Sequence, residues 1–258
     1  MGIVDICRMQ QIMLFGGMKK ALQTQCTCLD DMFSYYGSKY KLYKLYPEPK
    51  TDLIIEPFSG AAWYSVNYAR KDVWINDRYD VIYNIWNWLI NKADKDFILE
   101  NLDYYVGQDI GKLNLPNEFK QLLGFCINRG SIEPKNIVQR WSCQSKIDWD
   151  WASTTNFQLK RIANKLDSIR HWKCSHLDYR DLPNIEATWF IDPPYQYGGE
   201  HYKINKIDYN ELAEWCKSRR GQVIVCENTR ADWLDFKPLQ KITGQRKKTT
   251  EAVWINLF

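Results

Sequence analysis

The sequence predicts an α/β fold built on a mostly parallel sheet with helices on both faces, and three observations predict it. Short, wholly apolar runs recur along the chain, which suits strands covered on both sides. Segments of helical periodicity lie between these runs, and such alternation implies parallel crossovers. Each run also stops at an acidic or amide residue, so one end of the sheet gathers polar groups.

In chain order, Leu53-Ile54-Ile55 stops at Glu56-Pro57, and Val73-Trp74-Ile75 stops at Asn76-Asp77. Trp172 to Leu177 reads as a strand that ends at Asp178. Ala187 to Ile191 stops at Asp192-Pro193, and Gln222 to Cys226 at Glu227-Asn228. Glu251 to Phe258 reads as a closing strand. Helical spacing appears in Val81-Ile82-Ile85-Trp86-Leu89, Leu159-Ile162-Leu166-Ile169 and Tyr209-Leu212-Trp215. Ligands of open α/β sheets bind outside the carboxyl ends of the strands. Glu56, Asp77, Asp192 and Glu227-Asn228 therefore outline one cleft.

Three segments follow from this pattern. Residues 1–32 are Met-, Gln- and Cys-rich and show no strand; they read as a helical or poorly ordered extension, or as residues upstream of a start at Met32. Residues 33–96 and 173–258 carry the strand and helix alternation. Residues 97–172 lose it, are too long for a plain connection, and read as an inserted subdomain.

Composition narrows the function classes. At 258 residues with 45% hydrophobic content, the chain can build one large core. Net charge is only +4, but Lys112 to Lys173 holds eleven Lys/Arg against five Asp/Glu. A basic middle on a near-neutral scaffold is the footprint of a nucleic-acid face, or else a solvated basic surface. Aromatic content of 15% suits stacking on bases as well as core packing. The eight Cys and three His show no zinc spacing, so no metal is expected and reduced thiols suit a cytoplasmic protein. No apolar run reaches membrane-spanning length, and Asp5 and Arg8 interrupt any signal-peptide pattern.

Asp192-Pro193-Pro194-Tyr195 carries the chemistry. An exocyclic aromatic amine is a poor nucleophile because its lone pair is delocalised into the ring. Acceptors aimed at both N–H groups draw that pair out. The Asp192 carboxylate and the Pro193 carbonyl could supply them, and consecutive prolines hold such carbonyls rigidly. Tyr195 can stack on the base, worth roughly 1–3 kcal/mol. A base inside a duplex must be flipped out to reach such a site. Taken alone, the tetrapeptide also reads as a Pro-Pro turn closing a strand.

Four pieces in order resemble the Dam-like, phage-type DNA N6-adenine methyltransferases: Tyr35-Tyr36-Gly37-Ser38-Lys39, Glu56-Pro57-Phe58-Ser59-Gly60, Asn76-Asp77 and Asp192-Pro193-Pro194-Tyr195. The resemblance runs from about residue 33 to the end. It implies a Rossmann-like S-adenosylmethionine-dependent methyltransferase sheet in which 97–172 is the target-recognition subdomain. It implies S-adenosylmethionine as donor, double-stranded DNA as partner, and the cytoplasm of a bacterial or phage-infected cell, inside or outside a restriction-modification system. Oligomeric state and target sequence stay open.

The implied cofactor residues are Tyr35, Lys39, Glu56, Phe58, Gly60, Asp77, Asp178 and Tyr179. Lys39 could pair the cofactor carboxylate, Glu56 its ammonium or sulfonium side, and Asp77 both ribose hydroxyls. Asp77 has the lesser alternative reading of a helix N-cap, and Phe58 reads equally as core. Gly60 permits close backbone approach, and the loop Gly60-Ala61-Ala62-Trp63 departs from relatives with more glycines. Asp178-Tyr179 would lie beside the cofactor adenine. Glu227-Asn228 reads as a structural strand end beneath the site. The expected DNA contacts are Arg129, Lys135, Arg140, Trp141 and Lys248, and Gly198-Gly199 suggests a mobile loop bearing His201 and Tyr202. The competing readings are an RNA adenine or cytosine-N4 methyltransferase, a catalytically inactive DNA-binding protein on the same scaffold, and a dinucleotide enzyme, which would lack its Gly-x-Gly-x-x-Gly loop.

Overall fold

The computed structural model describes residues 32–39, 42–102, 104–128, 130–138, 151–243 and 248–257. The extension preceding Met32 lies outside the described residues. Seven strands form one sheet: β1 (Leu53–Glu56), β2 (Asp72–Asn76), β3 (Lys173–Ser175), β4 (Ala187–Ile191), β5 (Gly221–Asn228), β6 (Lys237–Thr243) and β7 (Lys248–Leu257). Their order is β3-β2-β1-β4-β5-β7-β6. The first five run parallel, and β7 is antiparallel to both β5 and β6.

The all-apolar strands are buried on both faces, which is why they lack alternation. Ile54, Val73, Ile75, Phe190, Ile224 and Cys226 face one core. Their neighbours Ile55, Trp74, Trp189, Ile191, Val223 and Val225 face the other. The first core is covered by α1 (Trp63–Asn67), α2 (Asp80–Asn91), α4 (Asn117–Ile127) and α5 (Trp151–Ile169), with Met32 and Phe33 packed among them. The second is covered by α6 (Tyr209–Lys217), which buries Leu212, Ala213, Trp215 and Cys216. A further short helix, α3 (Lys95–Glu100), lies against α5. It starts where Asp94 accepts a hydrogen bond from the Phe97 amide at 2.9 Å.

The structure adds to the sequence expectations. β6 was not expected, and α4 and the first turns of α5 give regular structure to the 97–172 segment, whose buried residues share a core with residues 32–93. The aromatic surplus goes largely to the interior: Trp63, Trp74, Trp86, Trp88, Trp172, Trp189, Trp215 and Trp233 are all buried. The described cysteines, Cys126, Cys174, Cys216 and Cys226, are free thiols.

The chain runs outward from β1 through β2 to β3, then returns to place β4 on the other side of β1. That reversal is a topological switch point, where the loops after β1 and β4 diverge and leave a crevice. The functional cleft opens there.

Candidate active site

The cleft has a volume of about 280 Å³ and is lined from the carboxyl ends of β1, β2 and β4, the Tyr35–Lys39 segment and the Asp178–Arg180 turn. All eight sequence-predicted cofactor residues line it: Tyr35, Lys39, Glu56, Phe58, Gly60, Asp77, Asp178 and Tyr179. Asp192 and Pro194 line it too.

Asn76, fully buried at the end of β2, braces three strand ends. Its side-chain amide donates to the carbonyls of Pro57 and Leu177, both at 3.0 Å. Its oxygen accepts from Ser175 Oγ at 2.8 Å and the Leu177 amide at 2.9 Å. Every polar atom of a buried amide is thereby satisfied, which fixes the loops after β1, β2 and β3 relative to one another.

Asp77 holds the β1–α1 loop. Its two carboxylate oxygens accept from the Gly60 amide and the Tyr79 amide, each at 2.9 Å. Helix α2 is preceded by Tyr79 as its cap residue, so Asp77 is not the N-cap. Burial raises the Asp77 carboxyl to about 6, against the pull of those two amides. Gly60 has φ +47°, and a Cβ there would meet the Tyr35 ring at 3.1 Å. Glycine lets the loop turn and lets Tyr35 close on it. Ala62 adopts the same left-handed region, with φ 48°, where a glycine would be unstrained.

Glu56 is 2% exposed. Its Oε1 accepts from the Ser65 amide at 2.8 Å, and burial pushes the carboxyl up to about 8 despite that bond. Phe58 and Tyr179 are neighbours with ring centroids 5.4 Å apart, forming an aromatic wall. Asp178 is engaged by two guanidiniums: Arg180 Nε at 2.7 Å, Arg180 Nη2 at 2.8 Å and Arg78 Nη1 at 2.6 Å. The Arg180 hydrogen bond holds its carboxyl below the ordinary value.

At the other end lies the Asp192 tetrapeptide. Lys39 is buried, and its ammonium sits 2.8 Å from Asp192 Oδ1 and 3.7 Å from Glu251 Oε1. Burial would strip its proton, but Asp192 and Glu251 outweigh that and keep it protonated. Lys39 is thus engaged by two protein carboxylates rather than standing open to a cofactor carboxylate. Burial raises Asp192 to about 6, with Lys39 opposing. Tyr195 does not line the cleft. Its hydroxyl donates to Glu251 Oε1 at 2.6 Å, and its ring lies 4.8 Å from the Lys39 ammonium.

The loop after Asp192 is held at several points. Tyr209 donates to the Pro194 carbonyl at 2.8 Å. The Gln196 amide donates to Glu227 Oε1 and the Asn228 amide to Glu227 Oε2, which gives Glu227-Asn228 the supporting place expected of it. Gly199 donates to the Tyr195 carbonyl at 3.0 Å, and a Cβ there would come within 2.3 Å of that oxygen. The Gly198-Gly199 pair therefore makes a tight turn. Beyond it Tyr202 roofs the cleft, its ring 5.3 Å from that of Tyr36 and its hydroxyl 3.3 Å from the Tyr36 carbonyl. Lys203 pairs with Glu133 beside it.

Of the predicted DNA contacts, Lys135 is exposed near Glu133. Arg129, Arg140 and Trp141 lie outside the described residues, as does the side chain of Lys248. Among the described residues no acidic, Cys or His group is arranged to hold a metal, and no helix is long and apolar enough to cross a membrane. Sequence reasoning missed Glu251, Tyr46, Arg78 and Arg180.

Residues 35–122 match the family model of the D12 class N6 adenine-specific DNA methyltransferases. Over that span the chain is similar to this DNA adenine methyltransferase family. The match takes in the Tyr35–Lys39 segment, β1, the Gly60 loop and Asp77, which are one wall of the cleft. The Asp192 tetrapeptide lies outside the matched span, yet the sheet brings it to the same crevice. No curated protein matches the chain.

Proposed function

We propose that this DNA adenine methyltransferase binds S-adenosylmethionine along the wall from Asp178 to Tyr35 and receives a flipped-out adenine of double-stranded DNA at Asp192. The observation that carries the reading is the meeting of Asp77, Glu56, Lys39 and Asp192 in one cleft at the switch point.

The residues present fit such a donor. Asp77 offers carboxylate lone pairs to a diol while its backbone bonds hold it in place. Glu56 offers a buried carboxyl that an adjoining ammonium group would draw into its ionised form, and the Phe58–Tyr179 wall offers a face to a flat ring. S-adenosylmethionine, when bound, supplies an electrophilic methyl on its sulfonium. The chain's own residues do the remainder. Asp192 accepts a hydrogen bond from the target amine and, with the Pro193 carbonyl, concentrates its lone pair on nitrogen. The bound and roofed cleft excludes water, which strengthens that hydrogen bond. With its value near 6, Asp192 is ionised at neutral pH and also basic enough to take the proton the methylated amine must lose. Lys39 balances the buried carboxylate charge. We place Arg129, Lys135, Arg140, Trp141 and Lys248 at the DNA backbone, with 97–172 as the target-recognition segment between domain pieces 33–96 and 173–258. An enzyme of this kind works in the cytoplasm of a bacterial or phage-infected cell.

Calorimetry with S-adenosylmethionine tests the donor, and labelled-methyl transfer to duplex DNA, single-stranded RNA and nucleosides tests the acceptor. Binding with transfer to duplex adenine is expected. No heat at high protein concentration, or transfer to RNA alone, contradicts the reading.

A further inference from the structure

Glu251 is a buried acid that the matched family segment does not reach and the reaction above does not use. It stands on β7, 4% exposed, and its Oε1 is the meeting point of three donors. Tyr46 donates to it at 2.7 Å, Tyr195 at 2.6 Å, and the Lys39 ammonium stands 3.7 Å away. The same ammonium is 2.8 Å from Asp192 Oδ1. One buried cation is therefore shared between two carboxylates, Asp192 just after β4 and Glu251 on β7. A buried carboxylate costs several kcal/mol of desolvation unless hydrogen-bonded, and two tyrosine hydroxyls converging on one oxygen meet that need without neutralising the charge.

An ammonium bound only to Asp192 would compete with the target amine for the same carboxylate. We propose that Glu251 is a positioning residue for methyl transfer: it draws the Lys39 ammonium partly away from Asp192 and so leaves the Asp192 carboxylate open to the target amine. Tyr46 and Tyr195 set how strongly it draws. This rests on the placement of Asp192 at the target amine. It also gives Tyr195 of the catalytic tetrapeptide a task other than stacking, as a tether from the Asp192 loop to β7.

The Asp192 charge is in turn felt by Tyr202 on the roofing loop, Glu56 at the end of β1, Cys226 and Glu227 on β5, and by Tyr46 and Tyr195. The charges that act on Asp192 itself are Lys39 and Glu251, and they act in opposite directions. Removing each should therefore move the Asp192 titration oppositely. This signature separates positioning from a packing role.

The experiment follows the Asp192 carboxyl by carbon NMR in the full-length protein labelled at aspartate Cγ, assigned with Asp192→Asn. Glu251→Gln should lower the Asp192 midpoint by roughly half to one unit, because Lys39 then pairs with Asp192 alone. Lys39→Met should raise it. Should Glu251→Gln fail to fold, Tyr46→Phe leaves the charge with one donor fewer and should raise the midpoint by a smaller amount. The acid limb of kcat/KM for duplex DNA should follow each shift, while S-adenosylmethionine affinity stays within about twofold. An unmoved Asp192 midpoint in Glu251→Gln, or a rise, overturns the proposal. A midpoint that moves while the acid limb does not overturns instead the placement of Asp192 at the reacting amine, and the positioning role with it.

Discussion

Replacing Asp77 by Asn should separate cofactor affinity from fold stability. The side chain keeps its shape, but one carboxylate oxygen that accepts from Gly60 or Tyr79 becomes a donor facing a donor. Losing that bond costs about 1–1.5 kcal/mol. Against it stands the relief of a buried charge. The rise of the Asp77 carboxyl from 3.8 to about 6 corresponds to about 3 kcal/mol at most. Because the group borders an open cleft, on the order of 1–2 kcal/mol is realistic. A group whose folded value is raised contributes stability below its unfolded value and loses it as pH rises through the folded one. Wild-type protein should lose that contribution between pH 4 and about 6, and the variant has none to lose. Relative to wild type, Asp77→Asn should thus be less stable near pH 5 and about equal near pH 8. S-adenosylmethionine affinity at pH 8 should nevertheless fall roughly 30-fold, equivalent to about 2 kcal/mol for one charge-assisted bond to the diol. Thermal unfolding at both pH values, with calorimetry at pH 8, measures both effects. Unchanged affinity, or a stability difference that does not vary with pH, would refute the reasoning.

Further outcomes follow from the same buried acids and from the loop. Glu56, Asp77, Asp192 and Glu227 are all raised by burial, to about 8, 6, 6 and 7. Each stabilises the fold only while protonated, so the ligand-free protein should melt at progressively lower temperature between pH 5.5 and 8.5. Glu56→Gln should flatten the upper part of that decline in a calorimetric pH series, and an unchanged slope would count against a buried, protonated Glu56. Ala62→Gly, at φ 48°, should be neutral or stabilising by up to about 1 kcal/mol, where the same change inside a helix costs stability. Denaturant unfolding decides it, and a loss above about 1 kcal/mol would show that the loop is not strained there.

Much of this architecture is legible in the sequence because β1, β2, β4 and β5 are buried on both faces and end abruptly at polar residues. That abruptness also marks the site, since the switch point collects those ends. β6 is not legible: Lys237, Pro238 and Lys241 mask an edge strand whose backbone needs no partner beyond β7. Helix α4 carries the 3.6-residue spacing in Phe119, Leu122, Leu123 and Cys126, but the surrounding Gly and Pro residues obscure it. Glu251 is the instructive omission. Its partners Lys39 and Tyr46 are some 200 residues away, so no local motif contains them. A signal was present nonetheless, because Glu251 falls in phase with buried Val253 on β7, and an acid on the inward face of a strand needs partners. Lys39 shows the converse: the segment was legible, but whether its ammonium met the donor or Asp192 depended on the side-chain geometry.

The most direct test is product analysis after incubating duplex DNA with labelled S-adenosylmethionine and either wild-type protein or Asp192→Ala. N6-methyladenine is expected from the wild type and no detectable product from the variant, with cofactor affinity within a few-fold. Near-wild-type turnover by Asp192→Ala, or label on cytosine instead of adenine, would contradict it.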